Sequence, residues 1–136
     1  IMKNLILILI PFISFAQVDV PEKYWLDDSN FEDTISSGAF GDDNDETIVI
    51  EFWAKFNEAN CFAKWSEIKE ASYYRVDIAK APKTKKEYKV RMAPTIFIIK
   101  NGTVEASWKA GLDLELPTDL EEIQESINEI NNASKF

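Results

Sequence analysis

The chain has 136 residues, 29% of them charged, and a formal net charge of −9 at pH 7. An acidic surface repels the phosphate backbone of nucleic acids and anionic lipids, so neither is an expected partner. The sequence has no histidine and a single cysteine, Cys61, which excludes an internal disulfide and leaves too few ligands for a zinc site. The composition therefore predicts a domain that holds no metal or cofactor and is stabilised by packing.

Residues 1–16 have the pattern of a secretory signal peptide. A basic residue, Lys3, precedes an apolar run over residues 5–15. Ser14 and Ala16 are the small residues that a signal peptidase site after Ala16 requires at its third-last and last positions. The run is shorter than the ~20 residues of a membrane-spanning helix, which favours cleavage over a retained anchor. We therefore expect an exported protein, periplasmic or secreted, that is free of the membrane after cleavage. The rest of the chain divides into a linker at 17–23, one domain at 24–131 and a tail at 132–136.

The first elements of the domain are short. An apolar run at 24–26 precedes polar residues at 27–29, which predict a helix cap, and Gly38 should end that helix. The acidic run at 42–46 resembles part of a calcium-binding loop, but it lacks the glycine and the distant bidentate glutamate of such a loop. A solvated loop is the better interpretation.

Two apolar runs predict buried central strands. Residues 47–54 (TIVIEFWA) and 73–78 (YYRVDI) are rich in β-branched and aromatic side chains and are nearly continuous in apolar character. Between them a helix is expected over about 58–71, and Pro82 should lie near the start of a short basic helix. This strand-helix-strand order indicates a β-α-β unit with a right-handed crossover.

The next signal is a hairpin. Residues 95–100 and 103–110 read as strands, and Asn101-Gly102 separates them. This dipeptide favours a two-residue turn because both of its positions accept a positive φ. We therefore expect an antiparallel strand pair here.

The sequence closes on an amphipathic helix. Apolar residues recur every three or four positions from 117 to 130, with a cap at Thr118 or Asp119. Taken with the preceding elements, this predicts an α/β fold with a mixed central sheet and helices on both faces.

Several short motifs in this order resemble the thioredoxin domain. The most specific are Phe52-Trp53-Ala54, Ala93-Pro94-Thr95, Lys100-Asn101-Gly102 and Gly111. The resemblance covers about residues 24–130 and implies a thioredoxin-like fold. It also implies that Pro94 follows a cis peptide bond, that Gly111 lies beside a substrate groove and that Glu51 is a buried acid. Desolvation should raise the pKa of Glu51, whose expected partner, if it has one, is a water molecule.

The sequence departs from that family where the chemistry takes place. The family has Cys-x-x-Cys between its Trp-Ala and the following helix, and a gapless alignment places Asn57-Glu58-Ala59-Asn60 there. The first thiol of such a pair attacks a disulfide as a thiolate, and the second resolves the mixed disulfide. Since neither position is a cysteine, the sequence excludes a dithiol cycle within the chain.

Cys61 has two interpretations. Near the first turn of the predicted helix, its pKa would be lowered by the helix dipole, and it could exchange disulfides with the help of an outside thiol. Alternatively, Cys61, Trp65, Ile68 and Ser72 form one mainly apolar helical stripe that faces the sheet, and a free cysteine in such a stripe is buried. The spacing favours the structural interpretation.

We predict a protein- or peptide-binding module that lacks dithiol redox activity. The groove residues that the resemblance assigns are Trp53, Phe56, Ala93, Pro94 and Gly111. Ordinary packing is an equal alternative for Trp53. The alternative function is monothiol disulfide exchange through Cys61 with an external resolving thiol, and a third is a structural role in an envelope assembly. No cofactor is expected.

Overall fold

The strands form one mixed sheet. A computed structural model of the chain describes residues 20–36 and 46–133. The strands are β1 (Trp25–Leu26), β2 (Thr47–Trp53), β3 (Ser72–Asp77), β4 (Thr95–Lys100) and β5 (Thr103–Lys109). They lie in the order β1-β3-β2-β4-β5. β3 pairs in parallel with β1 and β2, whereas β4 pairs antiparallel with β2 and β5, which confirms the predicted mixed sheet.

Helices cover both faces of this sheet. They are α1 (Phe31–Ile35), α2 (Pro82–Glu87) and α3 (Leu120–Ala133). Because side chains alternate along a strand, Ile50 and Phe52 of β2 join Phe31 of α1 in the cluster on one face. Val49 joins Ile123 of α3 in the cluster on the other face. β2 is therefore the central strand that its apolar pattern predicts.

The predicted hairpin is present between β4 and β5. Asn101 and Gly102 have φ values of 54° and 78°, so both occupy the left-handed region that a two-residue turn requires. The strands pair from Thr95 opposite Lys109 to the turn, with one irregularity after Ile98. The hairpin places β5 at the edge of the sheet.

The closing helix is also confirmed. Asp119 precedes α3, and its Oδ1 accepts a hydrogen bond from the N–H of Glu122 at 2.8 Å, as an N-cap does. Ile123 and Ile127 lie one turn apart and are fully buried. Burying a side chain of this size contributes about 1.5–3 kcal/mol, so these two residues hold α3 on the sheet.

The segment between β2 and β3 does not form the predicted α-helix over 58–71. That prediction is wrong. The chain instead forms a 3₁₀ helix at Lys55–Asn60, with non-helical dihedrals at Asn57, and a 3₁₀ turn at Trp65–Glu67. The segment therefore crosses the face of the sheet as a compact loop.

Hydrogen bonds to the sheet explain why no α-helix forms there. The Phe62 N–H donates to Glu51 Oε2 at 2.9 Å, and the Phe62 carbonyl accepts from Arg75 Nη2 at 3.2 Å. A main-chain N–H that is bonded to a side chain cannot close the i to i−4 ladder of a helix. Trp65 and Ile68 still pack against the buried cluster that contains Val49 and Ile123, which we call the α3 cluster. Their spacing therefore reflects burial and not helical structure.

Some predictions lie outside the described residues. They concern the signal peptide at 1–16, the helix end at Gly38, the acidic residues at 42–45 and the last residues of the tail. Within 20–36 and 46–133, no helix is both long and apolar enough to cross a membrane. The same residues contain no group of three or more His, Cys, Asp or Glu side chains arranged to hold a metal ion.

Candidate functional site

The predicted groove residues gather at one end of the central strands. The parallel strands β2 and β3 both end there, at Trp53 and Asp77, and the antiparallel β4 begins there at Thr95. The loop before β4 therefore lies beside the loop that follows β2. We call the loops at 54–61, 91–94 and 110–116 the proline edge.

The loop at 91–94 is fixed by hydrogen bonds to its main-chain carbonyls. The Ala93–Pro94 peptide bond is cis, and both residues are buried. The Pro94 carbonyl accepts a hydrogen bond from the Ala110 N–H at 3.1 Å, and Thr95 Oγ1 donates to the Met92 carbonyl at 2.6 Å. Pro94 and the loop that begins at residue 110 are therefore held together.

Two asparagines join all three loops of the proline edge. Asn57 Nδ2 donates to the carbonyls of Ala93 and Leu114, both at 2.8 Å. Asn60 Nδ2 donates to Asn57 Oδ1 at 2.9 Å and to the Leu114 carbonyl at 3.0 Å. We call Asn57 and Asn60 the amide clamp. Their hydrogen bonds cross-link segments that are distant in sequence.

Two large apolar side chains are exposed on the loops that the amide clamp joins. Phe56 is 76% exposed and Leu112 is 94% exposed. Leu114 closes a tight turn behind Leu112: its φ is 58°, and its N–H donates to the Gly111 carbonyl at 3.0 Å. Leucine rarely adopts a positive φ, so the surrounding hydrogen bonds must hold this turn. The turn presents Leu112 to solvent.

Trp53 packs on one side and lines a cavity on the other. It is half-buried, and its ring meets Trp25 edge to face with the centroids 5.0 Å apart. It also lines a cavity of about 550 Å³. The other lining residues are Val20, Trp25, Glu58, Ala59, Cys61 and Arg75. Val20, within the predicted linker, packs in the α3 cluster.

Cys61 follows the 3₁₀ helix and does not lie in the first turn of an α-helix, so that expectation is wrong. Its backbone is extended, with φ −71° and ψ 167°, and the residue is half-buried at the cavity. Burial raises the pKa of the thiol, and the nearby Arg75 guanidinium opposes this rise. With a raised pKa, Cys61 is mostly a neutral thiol at pH 7 and hence a weak nucleophile.

Glu51 is fully buried and has protein partners. Its Oε1 accepts hydrogen bonds from the Tyr73 hydroxyl at 2.6 Å and from Arg75 Nη2 at 3.1 Å, and its Oε2 accepts the Phe62 N–H. Burial raises the pKa of Glu51, and these three donors oppose the rise. The raised pKa is the expected direction, and the partners that the structure gives the carboxylate are protein groups.

Arg75 completes what we call the ionic cluster of Glu51, Tyr73 and Arg75. It is 2% exposed, and its Nε donates to the Tyr73 hydroxyl at 2.7 Å. Burial, together with the Glu51 carboxylate, raises the pKa of Tyr73 well above its ordinary value. The sequence analysis missed both partners. A signal was present, since Arg75 interrupts an apolar strand and a buried charge needs a countercharge.

Comparison with known proteins identifies the family. The family model described as Thioredoxin matches residues 22–126. The chain belongs to the thioredoxin family. No curated protein sequence matches it significantly.

Solved thioredoxin structures share the fold. Schistosoma mansoni thioredoxin is 20% identical, with a TM-score of 0.60 over 77% of this chain and 92% of that one. A mutant thioredoxin from Halobacterium salinarum is 14% identical, with a TM-score of 0.60 over 77% and 87%. Thioredoxin f from spinach chloroplast is 16% identical, with a TM-score of 0.59 over 76% and 91%. Identities this low establish the fold alone.

In this thioredoxin-family chain, the amide clamp stands where a gapless alignment places the two thiols. The sequence contains one cysteine and no Cys-x-x-Cys pair. The predicted groove residues Trp53, Phe56, Ala93, Pro94 and Gly111 lie at or beside the proline edge. Phe56 and Gly111 are exposed, whereas Ala93 and Pro94 are buried. Leu112 and the contacts of the clamp were missed, because neither has a local sequence signal.

Proposed function

We propose that this thioredoxin-family protein binds an extended protein segment at the proline edge and does not run a dithiol cycle. The observation that carries the proposal is the amide clamp, in which Asn57 and Asn60 fasten the loops that present Phe56 and Leu112. The remaining residues assigned to the surface are Trp53, Ala93, Pro94 and Gly111. We expect no cofactor or metal to take part.

The chemistry of thiols argues against a dithiol cycle. Such a cycle needs one thiolate to attack and a second thiol to resolve the mixed disulfide. The chain has one cysteine, and burial raises the pKa of that thiol. The reactive thiolate is therefore scarce at pH 7, and a resolving thiol would have to come from outside.

The exposed side chains argue for binding. Large apolar groups such as Phe56 and Leu112 are common at the centre of binding surfaces when they are held in defined positions. The amide clamp fixes both loops in advance, which reduces the entropy lost on association. The net charge of −9 favours a partner segment that carries basic residues.

Fluorescence anisotropy tests the proposal with a labelled peptide that alternates valine with lysine, and is thus extended and basic. Phe56→Ser and Leu112→Ser should each weaken binding about fivefold or more, because each removes an apolar anchor. Val104→Ser is the matched control, since Val104 is 37% exposed but lies on β5, outside the proline edge. If all three variants bind as the native chain does, the proposed surface is wrong.

The alternative is monothiol disulfide exchange through Cys61. Its favouring observation is the cavity, in which Arg75 places a positive charge near the thiol. This alternative predicts reduction of insulin-type disulfides above the background of the reductant alone, with the excess lost in Cys61→Ser. The binding proposal predicts that both proteins stay at background.

Export is a further part of the proposal and depends on residues 1–16. Expression of the full chain in a bacterium, followed by fractionation and N-terminal sequencing, should yield an exported form that begins at Gln17. A form that retains Lys3 would contradict cleavage.

A further inference from the structure

The main-chain acceptors around Pro94 already have partners within the chain. The Ala93 carbonyl accepts a hydrogen bond from Asn57 Nδ2 at 2.8 Å, and the Pro94 carbonyl accepts the Ala110 N–H at 3.1 Å. Ala93 as a whole is 2% exposed. A carbonyl oxygen can accept two hydrogen bonds, but Ala93 is buried, so we expect that an incoming strand must displace Asn57 to reach this carbonyl.

The side chain of Asn57 is fixed in its orientation. Its Nδ2 has two hydrogens, and it donates to the carbonyls of Ala93 and Leu114. Carbonyl oxygens only accept, so the nitrogen of the amide must face them. Asn60 Nδ2 donates to Asn57 Oδ1 at 2.9 Å and holds the amide from its other side.

The hydrogen bond from Asn57 to the Ala93 carbonyl resembles one that a bound peptide would form. A side-chain amide offers the same kind of N–H donor as the main chain of an added strand. We propose that Asn57 is an internal occupant of the proline edge. Its amide donates to the Ala93 carbonyl as a main-chain N–H of an added strand would. The native chain then recognises the side chains of its partner through Phe56 and Leu112, a second step that rests on the proposed function.

Displacing Asn57 would bring a peptide little net gain. A hydrogen bond that a peptide donated to the Ala93 carbonyl would replace the one that Asn57 already donates, and Asn57 would also lose its bond to Leu114. Contact with the exposed side chains of Phe56 and Leu112 breaks no such bond. Apolar contact should therefore dominate in the native chain, and removal of the Asn57 amide should restore main-chain pairing.

The test uses two probes and three proteins. The probes are the alternating valine-lysine peptide and the same peptide with alternate backbone nitrogens methylated, which cannot donate along one edge. The proteins are the native chain, Asn57→Ala and the control Asn128→Ala, whose asparagine lies on the exposed surface of α3. Loss of the Asn57 amide loosens the loops, which costs affinity, but it also frees the Ala93 carbonyl for a main-chain hydrogen bond, and we expect the second effect to be the larger. Asn57→Ala should therefore bind the unmethylated peptide about 2- to 10-fold more tightly than the native chain, and methylation should abolish the gain. Methylation should leave the native chain and the control unchanged.

The outcomes separate the two proposals. Equal affinity of the native chain and Asn57→Ala, including no binding by either, overturns the internal occupant, as does a strong effect of methylation on the native chain. Binding that appears only in Asn57→Ala and is lost on methylation supports it. The proposed function fails in a different way, through native binding that Phe56→Ser and Leu112→Ser leave intact.

If Asn57→Ala does not fold, an NMR experiment on the native chain tests the proposal instead. A scalar coupling across the hydrogen bond joins the side-chain nitrogen of Asn57 to the carbonyl carbon of Ala93. This coupling should persist when the unmethylated peptide saturates the protein. Its disappearance on saturation would overturn the proposal.

Discussion

The ionic cluster and the amide clamp use polar groups in opposite ways. Glu51 and Arg75 carry charges that are almost completely removed from solvent. Asn57 and Asn60 are neutral and half-buried. Removing one member of a buried ion pair leaves an uncompensated charge, whereas a half-exposed amide can turn to water. We infer that breaking the ionic cluster destabilises the fold more than breaking the clamp does, and that the shape of the binding surface depends mainly on the clamp.

A single segment connects the two regions. Phe62 is bonded through its N–H to Glu51 and through its carbonyl to Arg75, inside the protein. Five residues earlier, Asn57 is bonded to the surface loops through Ala93. Variants of the ionic cluster should therefore alter both stability and the binding loops, while variants of the clamp should alter mainly the loops, with a smaller effect on stability.

The largest effect is expected from Arg75→Met. Loss of the guanidinium leaves Glu51 buried without its countercharge, and the free energy of unfolding should fall by about 3–5 kcal/mol in urea denaturation. Arg91→Met is the matched control, because Arg91 is exposed. Adding Glu51→Gln to Arg75→Met should recover much of the loss. A loss below about 1 kcal/mol would remove the distinction between the two regions.

The effect of Arg75→Met should also depend on pH. Burial raises the pKa of Glu51 above its ordinary value of 4.5, so the folded chain holds this proton more tightly than the unfolded chain. The resulting stabilisation is complete below the unfolded pKa and is lost as pH rises through the folded pKa. Since Arg75 opposes the raised pKa, its removal should raise the folded pKa further and extend this loss to higher pH, with a slope of at most about 1.4 kcal/mol per pH unit. Parallel stability curves for the two proteins above pH 4.5 would contradict this assignment.

Asn57→Ala should have a smaller effect on stability. It removes hydrogen bonds at a half-exposed site, and the expected cost is about 1–2 kcal/mol in the same urea experiment. Asn128→Ala should stay within about 0.5 kcal/mol of the native chain. If Asn57→Ala proves as destabilising as Arg75→Met, the clamp is part of the stabilising core and the contrast between the regions is wrong.

The smallest effect is expected at Cys61. Cys61→Ala should cost about 1 kcal/mol or less, because the residue is small and half-buried. Labelling with an Ellman-type reagent should be slower in the native chain at pH 7 than in denaturant. Its rate should rise about tenfold per pH unit up to the raised thiol pKa. Equally fast labelling of both forms would favour the monothiol alternative.

Local sequence signals predicted much of the fold. The turn at Asn101-Gly102 needs only two residues that accept a positive φ. The cap at Asp119 and the buried Ile123 and Ile127 likewise lie within three turns of one helix. The helix over 58–71 failed because the spacing of Trp65 and Ile68 also suits a loop packed across the sheet.

The site was predicted less completely because its contacts are remote in sequence. Asn57 is 36 residues from Ala93 and 57 from Leu114, and Glu51 is 24 residues from Arg75. No local pattern links such pairs. The groove residues were found through the family resemblance, whereas the amide clamp and its partners required the three-dimensional structure.

Amide chemical-shift mapping of the native chain, titrated with the alternating valine-lysine peptide, tests most directly whether the proline edge binds an extended segment. Residues 54–57 and 110–115 should shift, while the ionic cluster and Asn128 should stay unchanged. Shifts confined to the cavity beside Cys61, or no shifts at high peptide concentration, would contradict binding at the proline edge.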